Sequence, residues 1–231
     1  MLQLVALLAL SWLLIWFFEK KNLSVLGLTP SPHRLKYFIL LFLVSAALAA
    51  SAFLLRMYFV REVYTVNPSM TFYSVVQETW YQFRTVLTEE LLCRGAVLYI
   101  LIKKAGRIKA VFISSVLFAV LHWFNAGVWG NPAQMLMVFA FTFTMGLLLA
   151  YAYAQTFSLL IPFAIHFGWN LTQNYIFPET AAGKHLLILA YPPPEVTLSY
   201  LSFFTMLLLP KVAVIIINFF IVKSHPRVEA P

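Results

Sequence analysis

Three separate apolar stretches of this chain hold side chains that are costly to bury in lipid. The stretch QFRTVLTEELLCRGAVLYILIKK carries Glu89 and Glu90 side by side, followed by Arg94. VLFAVLHW places His122 four residues after Phe118, and IPFAIHFGWN places His166 and Asn170 at i and i+4. One charged residue at mid-bilayer costs about 2.5–3.5 kcal/mol on insertion scales, so three within six positions need a reason. On a helix Glu90 and Arg94 face each other as an ion pair. Glu89 points about 100° away from Glu90, which frees one carboxylate for proton transfer while the other anchors the arginine. A glutamate with two histidines and an asparagine is the donor set of a hydrolytic centre: the carboxylate takes a proton from water, and His and Asn stabilise an oxyanion. Glu89, His122 and His166 are also the types that ligate a divalent metal such as zinc. There is no HExxH motif, and spacing does not choose between a metal site and a metal-free one. The expectation is that no cofactor is required. The chain contains no aspartate, which removes a Ser-His-Asp triad, and Ser24, Ser114 and Ser115 lack the strand-turn-helix setting of a nucleophile elbow.

The bland alternative is a buried Glu–Arg pair and two histidines that only fix helix packing. Occurrence of the whole set on three stretches weighs against it, and the elements that must position the set follow from composition. Of 231 residues 62% are hydrophobic and 10% charged, with a net charge of +8. Soluble domains are about 25% charged, so a water-soluble fold is excluded. The basic residues form no stripe interleaved with aromatics, which argues against nucleic acid as a partner. They sit between apolar runs, as the positive-inside rule requires. Cys93 is the single cysteine, which excludes an internal disulfide. The expected architecture is all-α: one integral-membrane domain over 1–231, a polytopic bundle of about seven spans near 2–18, 38–60, 82–102, 109–125, 133–154, 157–177 and 200–222. Residues 61–81 are expected as an interfacial helix or lid. Within the proline-rich loop 178–199, a segment near 184–191 is expected to be re-entrant or to lie in the interface, which would make an eighth membrane element. Pro210 and Lys211 interrupt the last span, with Lys211 facing the bundle or snorkelling. The basic loop 103–108 and the basic tail predict a cytoplasmic C-terminus and an outside N-terminus. Counted at about 1.5 Å per residue, Glu89, Glu90, His122, His166 and Asn170 reach comparable depths, consistent with one polar cavity.

The three motifs, Glu89-Glu90-x-x-x-Arg94, Phe118-x-x-x-His122 and His166-x-x-x-Asn170, resemble the pattern of the CAAX-processing and bacteriocin-processing (CPBP, or Abi) intramembrane endopeptidases, over a motif-bearing core at about 80–175. That resemblance implies a protease in which Glu89 activates water with help from His122. His166 and Asn170 would bind the oxyanion, and Glu90 would pair with Arg94 to hold the helix in register. It implies a glutamate-type mechanism, a membrane-associated protein or peptide as substrate, CAAX-type prenyl-protein processing as one form of it, and a prokaryotic plasma membrane as the setting. The competing readings are a membrane transporter that uses the buried Glu, Arg and His residues as a polar relay, and a protease-like scaffold.

Overall fold

The computed structural model describes residues 2–177 and 184–231. In hydrocarbon the backbone must satisfy its own hydrogen bonds, so apolar runs become helices. Helix α1 spans Leu2–Glu19 and α2 spans Pro32–Phe59. They are followed by α3 (Phe72–Arg94), α4 (Ala96–Ala105), α5 (Arg107–Leu121), α6 (Pro132–Thr156), α7 (Leu160–Leu171) and α8 (Tyr200–Ser224). Local chemistry sets several starts. Ser31 and Asn131 accept hydrogen bonds from the backbone N–H of Arg34 and Gln134, each just before a proline in the first turn. Thr71 and Ser74 form a reciprocal capping box at the head of α3.

Among the described residues, five helices are long and apolar enough to cross a membrane: α1, α2, α5 with its continuation to Phe124, α6 and α8. The two other expected spans are not continuous helices. The stretch 82–102 is divided: α3 begins ten residues earlier, at Phe72, and ends at Arg94, and α4 starts after Gly95. A Cβ at Gly95 would lie 2.2 Å from the carbonyl oxygen of Leu91, so only glycine fits the break. The stretch 157–177 is the twelve-residue α7 followed by a π-helical turn over Thr172–Ile176. These two elements are short because they are interior. Helix α7 packs against α2, α3 and α6, and its residues from Ile161 to His166 are all buried. At Gly168 a Cβ would come within 2.4 Å of the Phe42 carbonyl oxygen, so α2 and α7 meet backbone to backbone.

The connections at the end where α3 begins also depart from expectation. Tyr64–Val66 (β1) and Leu187–Leu189 (β2) form an antiparallel pair, with Thr65 opposite Ile188. Within 184–191 the structure shows a strand at Leu187–Leu189 instead of a re-entrant helix, and within 61–81 only 72–81 is helical, as the first turns of α3. LLILAY is too short to cross, and pairing with β1 satisfies its backbone instead. The ladder is extended by Asn67 N–H to Leu186 O at 2.9 Å and Ala190 N–H to Val63 O at 2.8 Å. Arg56 of α2 grips Glu62 through two nitrogens, at 2.8 and 2.7 Å, and the Tyr64 hydroxyl donates to the same carboxylate. Burial, reinforced by that hydrogen bond, pushes the Tyr64 phenol above its ordinary range. Pro178 and Gly183, which marked the start of the expected loop, lie outside the described residues.

Candidate active site

Helix α3 delivers three charged groups through its last two turns. Glu90 and Arg94 are both fully buried, with Nη1 to Oε1 at 3.2 Å, as their i, i+4 spacing predicts. Such a pair is tolerable only if further partners share its charge, and two do so. The guanidinium carbon of Arg94 lies 4.0 Å from the centre of the Phe118 ring, a close cation–π contact. Glu90 Oε1 also lies 2.7 Å from Nδ1 of His166. A carboxylate can only accept, so Nδ1 carries the proton and donates. Glu90 thus anchors both an arginine and a histidine, an assignment that sequence spacing alone does not give.

With its Nδ1 tied down, His166 presents Nε2 to the rest of the site. Nε2 is 3.1 Å from the side-chain nitrogen of Asn170, one turn further along, and 3.6 Å from Glu89 Oε2. Glu89 differs from its neighbour: its side chain is 31% exposed against 0% for Glu90. Its Oε2 is nevertheless buried, with no hydrogen-bond partner among the described residues. A carboxylate oxygen in that state has its lone pairs available to a water molecule.

His122 closes the group from α5. Its Nδ1 is 2.7 Å from the Phe118 carbonyl oxygen, so the proton is on Nδ1 and the Nε2 lone pair is left for the site. The Phe118 ring is the shared wall, with its centre 4.4 Å from the His122 ring and 5.6 Å from the His166 ring. Glu89, Glu90, Arg94, Phe118, His122, His166 and Asn170 are therefore linked through direct contacts or a shared wall. Beside them lies a cavity of about 130 Å³, bounded by Phe118, His122, His166, Asn170, Trp169 and Lys211 among others. Lys211 faces the bundle, with its ammonium 4.0 Å from the centre of the Phe141 ring. The sequence left two orientations open for Lys211, and nothing in it marked Trp169 as a site residue. Their signal was proximity in sequence: Trp169 precedes Asn170, and Lys211 is a cation in an apolar span.

No group of three or more His, Cys, Asp or Glu side chains among the described residues is arranged to hold a metal ion.

Two adjacent glutamates, two histidines with their Nδ1 atoms hydrogen-bonded, and an asparagine thus meet beside one cavity of a largely apolar helical bundle. Residues 71–172 match the family model described as Type II CAAX prenyl endopeptidase Rce1-like. The match runs from the N-cap of α3 to the first residue of the π turn and includes all three motifs. It supports the CPBP family of CAAX-type proteases. Neither the curated proteins nor the solved structures contain a match to the chain.

Proposed function

We infer that the chain is an intramembrane endopeptidase that cleaves a membrane-associated protein or peptide through water activated by Glu89. The observation that carries this reading is the partly exposed Glu89 carboxylate, whose Oε2 lies 3.6 Å from His166 Nε2, beside a fully buried Glu90 already committed to Arg94 and His166. Water hydrogen-bonded to Glu89 and to the Nε2 lone pair of His122 attacks the scissile carbonyl, and its proton passes to Glu89. His166, held at Nδ1 by Glu90, takes a proton at Nε2 as the oxyanion forms, which releases the Asn170 amide from that nitrogen, and both groups then donate to the oxyanion. Collapse of the tetrahedral intermediate breaks the C–N bond, and the leaving amine takes the proton from Glu89. Phe118 and Arg94 hold the two histidines and Glu90 in register. No step uses a metal.

The test compares membranes that carry the wild-type chain with membranes that carry Glu89→Ala, using proteomics to find a precursor that accumulates in the variant. Purified wild-type protein should then convert that precursor. Undiminished conversion by a folded Glu89→Ala protein overturns the assignment. Elemental analysis and chelator treatment of active protein decide the cofactor. Full activity without stoichiometric zinc supports the glutamate mechanism, and loss on chelation that zinc restores overturns it.

A further inference from the structure

At the far end of the bundle the chain forms a second feature that hydrolysis does not use. Arg107 is the first residue of α5, and His122 closes the same helix. Fifteen residues at about 1.5 Å each separate them by about 22 Å. Below Arg107 a groove of about 460 Å³ runs between α5 and α6. Ile108, Val111 and Phe112 line one side, and Leu147, Tyr151 and Ala154 the other. Its charged lining residues are Arg107 and Arg227, and both stand at its mouth.

The mouth is built by the tail. Beyond α8 the chain folds back so that Val228 N–H donates to Gln155 O at 3.0 Å, and the Gln155 side chain donates to His225 O at 3.0 Å. Arg107 donates to Val228 O at 2.7 Å and lies 5.4 Å from the centre of the Phe157 ring. Its guanidinium is thereby fixed in place, and Arg227 is close enough to repel it. The carboxylate nearby belongs to Glu229, at 3.6 Å from Arg107 and 4.0 Å from Arg227. That side chain is 87% exposed, so solvent screens its pull on either arginine. Two guanidiniums lining the rim, Arg107 fixed and Arg227 exposed, against one screened carboxylate make a positive mouth, and guanidinium matches phosphate geometry.

Polarity falls with depth along the groove. From Gln155 down to Leu147 is eight residues, about 12 Å, most of the roughly 15 Å hydrocarbon depth of one leaflet. A charged rim over an apolar trough of that length has the shape of a lipid, with headgroup above and acyl chain below. We propose that Arg107 and Arg227 bind the phosphate of one anionic phospholipid whose acyl chain lies in the α5–α6 groove. Basic pockets between helices at a membrane face bind such headgroups. The occupant is a structural lipid rather than substrate, because the groove opens at the end away from Glu89 and His122.

The test uses purified full-length protein released from detergent into native mass spectrometry, with phosphatidylglycerol or phosphatidylcholine added at equal concentration. Wild type should retain one phosphatidylglycerol in preference to phosphatidylcholine. Arg107→Gln with Arg227→Gln should lower that retained fraction at least fivefold. Lys20→Gln with Lys21→Gln, which removes the same charge elsewhere, should leave it unchanged. Leu147→Trp, which fills the trough and keeps both arginines, should also lower it. If Arg107→Gln fails to fold, Arg227→Gln alone serves, because Arg227 is 61% exposed. Equal loss in the lysine variant, equal retention of phosphatidylcholine, or a second copy of the chain cross-linked into the groove overturns the proposal. None of these readouts depends on the protein being a protease.

Discussion

The five long helices and the two broken elements solve opposite problems. In α1, α2, α5, α6 and α8, only 17–28% of the residues in the most apolar window are buried inside the protein, and hydropathy alone suffices to hold them in lipid. Helix α7 has seven of its twelve residues buried. The last turn and a half of α3 buries Glu90, Leu91, Cys93 and Arg94. Neither broken element meets the length and apolarity that a crossing requires. Helix α7 and the last turns of α3 are held largely by protein, and that is what allows them to carry charge. A site made of Glu89, Glu90, Arg94, His166 and Asn170 belongs on elements shielded from lipid, because the shield supplies the partners that the bilayer lacks.

The largest effect expected from this contrast concerns the chemistry. Glu89→Gln should lower turnover of a membrane-linked peptide about 10²–10⁴-fold, the usual worth of a positioned general base. Thermal unfolding in detergent should hardly move, since this side chain is partly exposed and pairs with no arginine. A variant that keeps its turnover would reduce the site to a packing feature. The neighbouring carboxylate should behave in the opposite way. Glu90→Gln should destabilise the protein by about 3–5 kcal/mol, because it leaves a buried Arg94 uncompensated. Glu90→Gln with Arg94→Met should recover part of that stability but not the turnover, since His166 Nδ1 has lost its ionised anchor. If the double variant recovered both, Glu90 would be only the partner of Arg94, and the contrast between the two glutamates would collapse. Unfolding midpoints and cleavage rates on the same preparations separate the outcomes.

Those two residues also show what could be read from sequence. The i, i+4 spacing of Glu90 and Arg94 predicts their pair because a helix fixes that geometry locally. Phe118, His122, His166 and Asn170 were legible as motif residues for the same reason, each pair lying one turn apart. The contact of Glu90 with His166 was not legible, because it joins residues 76 positions apart and depends on how α3 meets α7. The breaks at Gly95 and after Leu171 were equally hidden. Apolar runs such as AVLYILIKK and IPFAIHFGWN look alike whether lipid or protein surrounds them, and hydropathy does not distinguish the two. The pairing of LLILAY with residues 64–66 was lost because a three-residue strand takes its stability from its partner, and the partner is distant in sequence.

The smallest effects test the contrast where it is most local, between adjacent residues of α2. The Phe42 carbonyl oxygen faces Gly168 of α7, whereas the side chain of Leu43 is 58% exposed. Gly168→Ala should cost about 1–3 kcal/mol, because the added methyl meets backbone that cannot rotate away. Leu43→Ala should stay within about 0.5 kcal/mol, since lipid fills the space that the side chain leaves. The comparison is read in unfolding midpoints, and also in cleavage. Pushing α7 away from α2 shifts His166 relative to Glu89, so Gly168→Ala should slow turnover even in the folded fraction, and Leu43→Ala should not. Equal costs at the two positions would mean that α2 presses no harder on α7 than on lipid. The interior element would then be held by its hydropathy like the other helices, and the shielding that makes its charges tolerable would need another source.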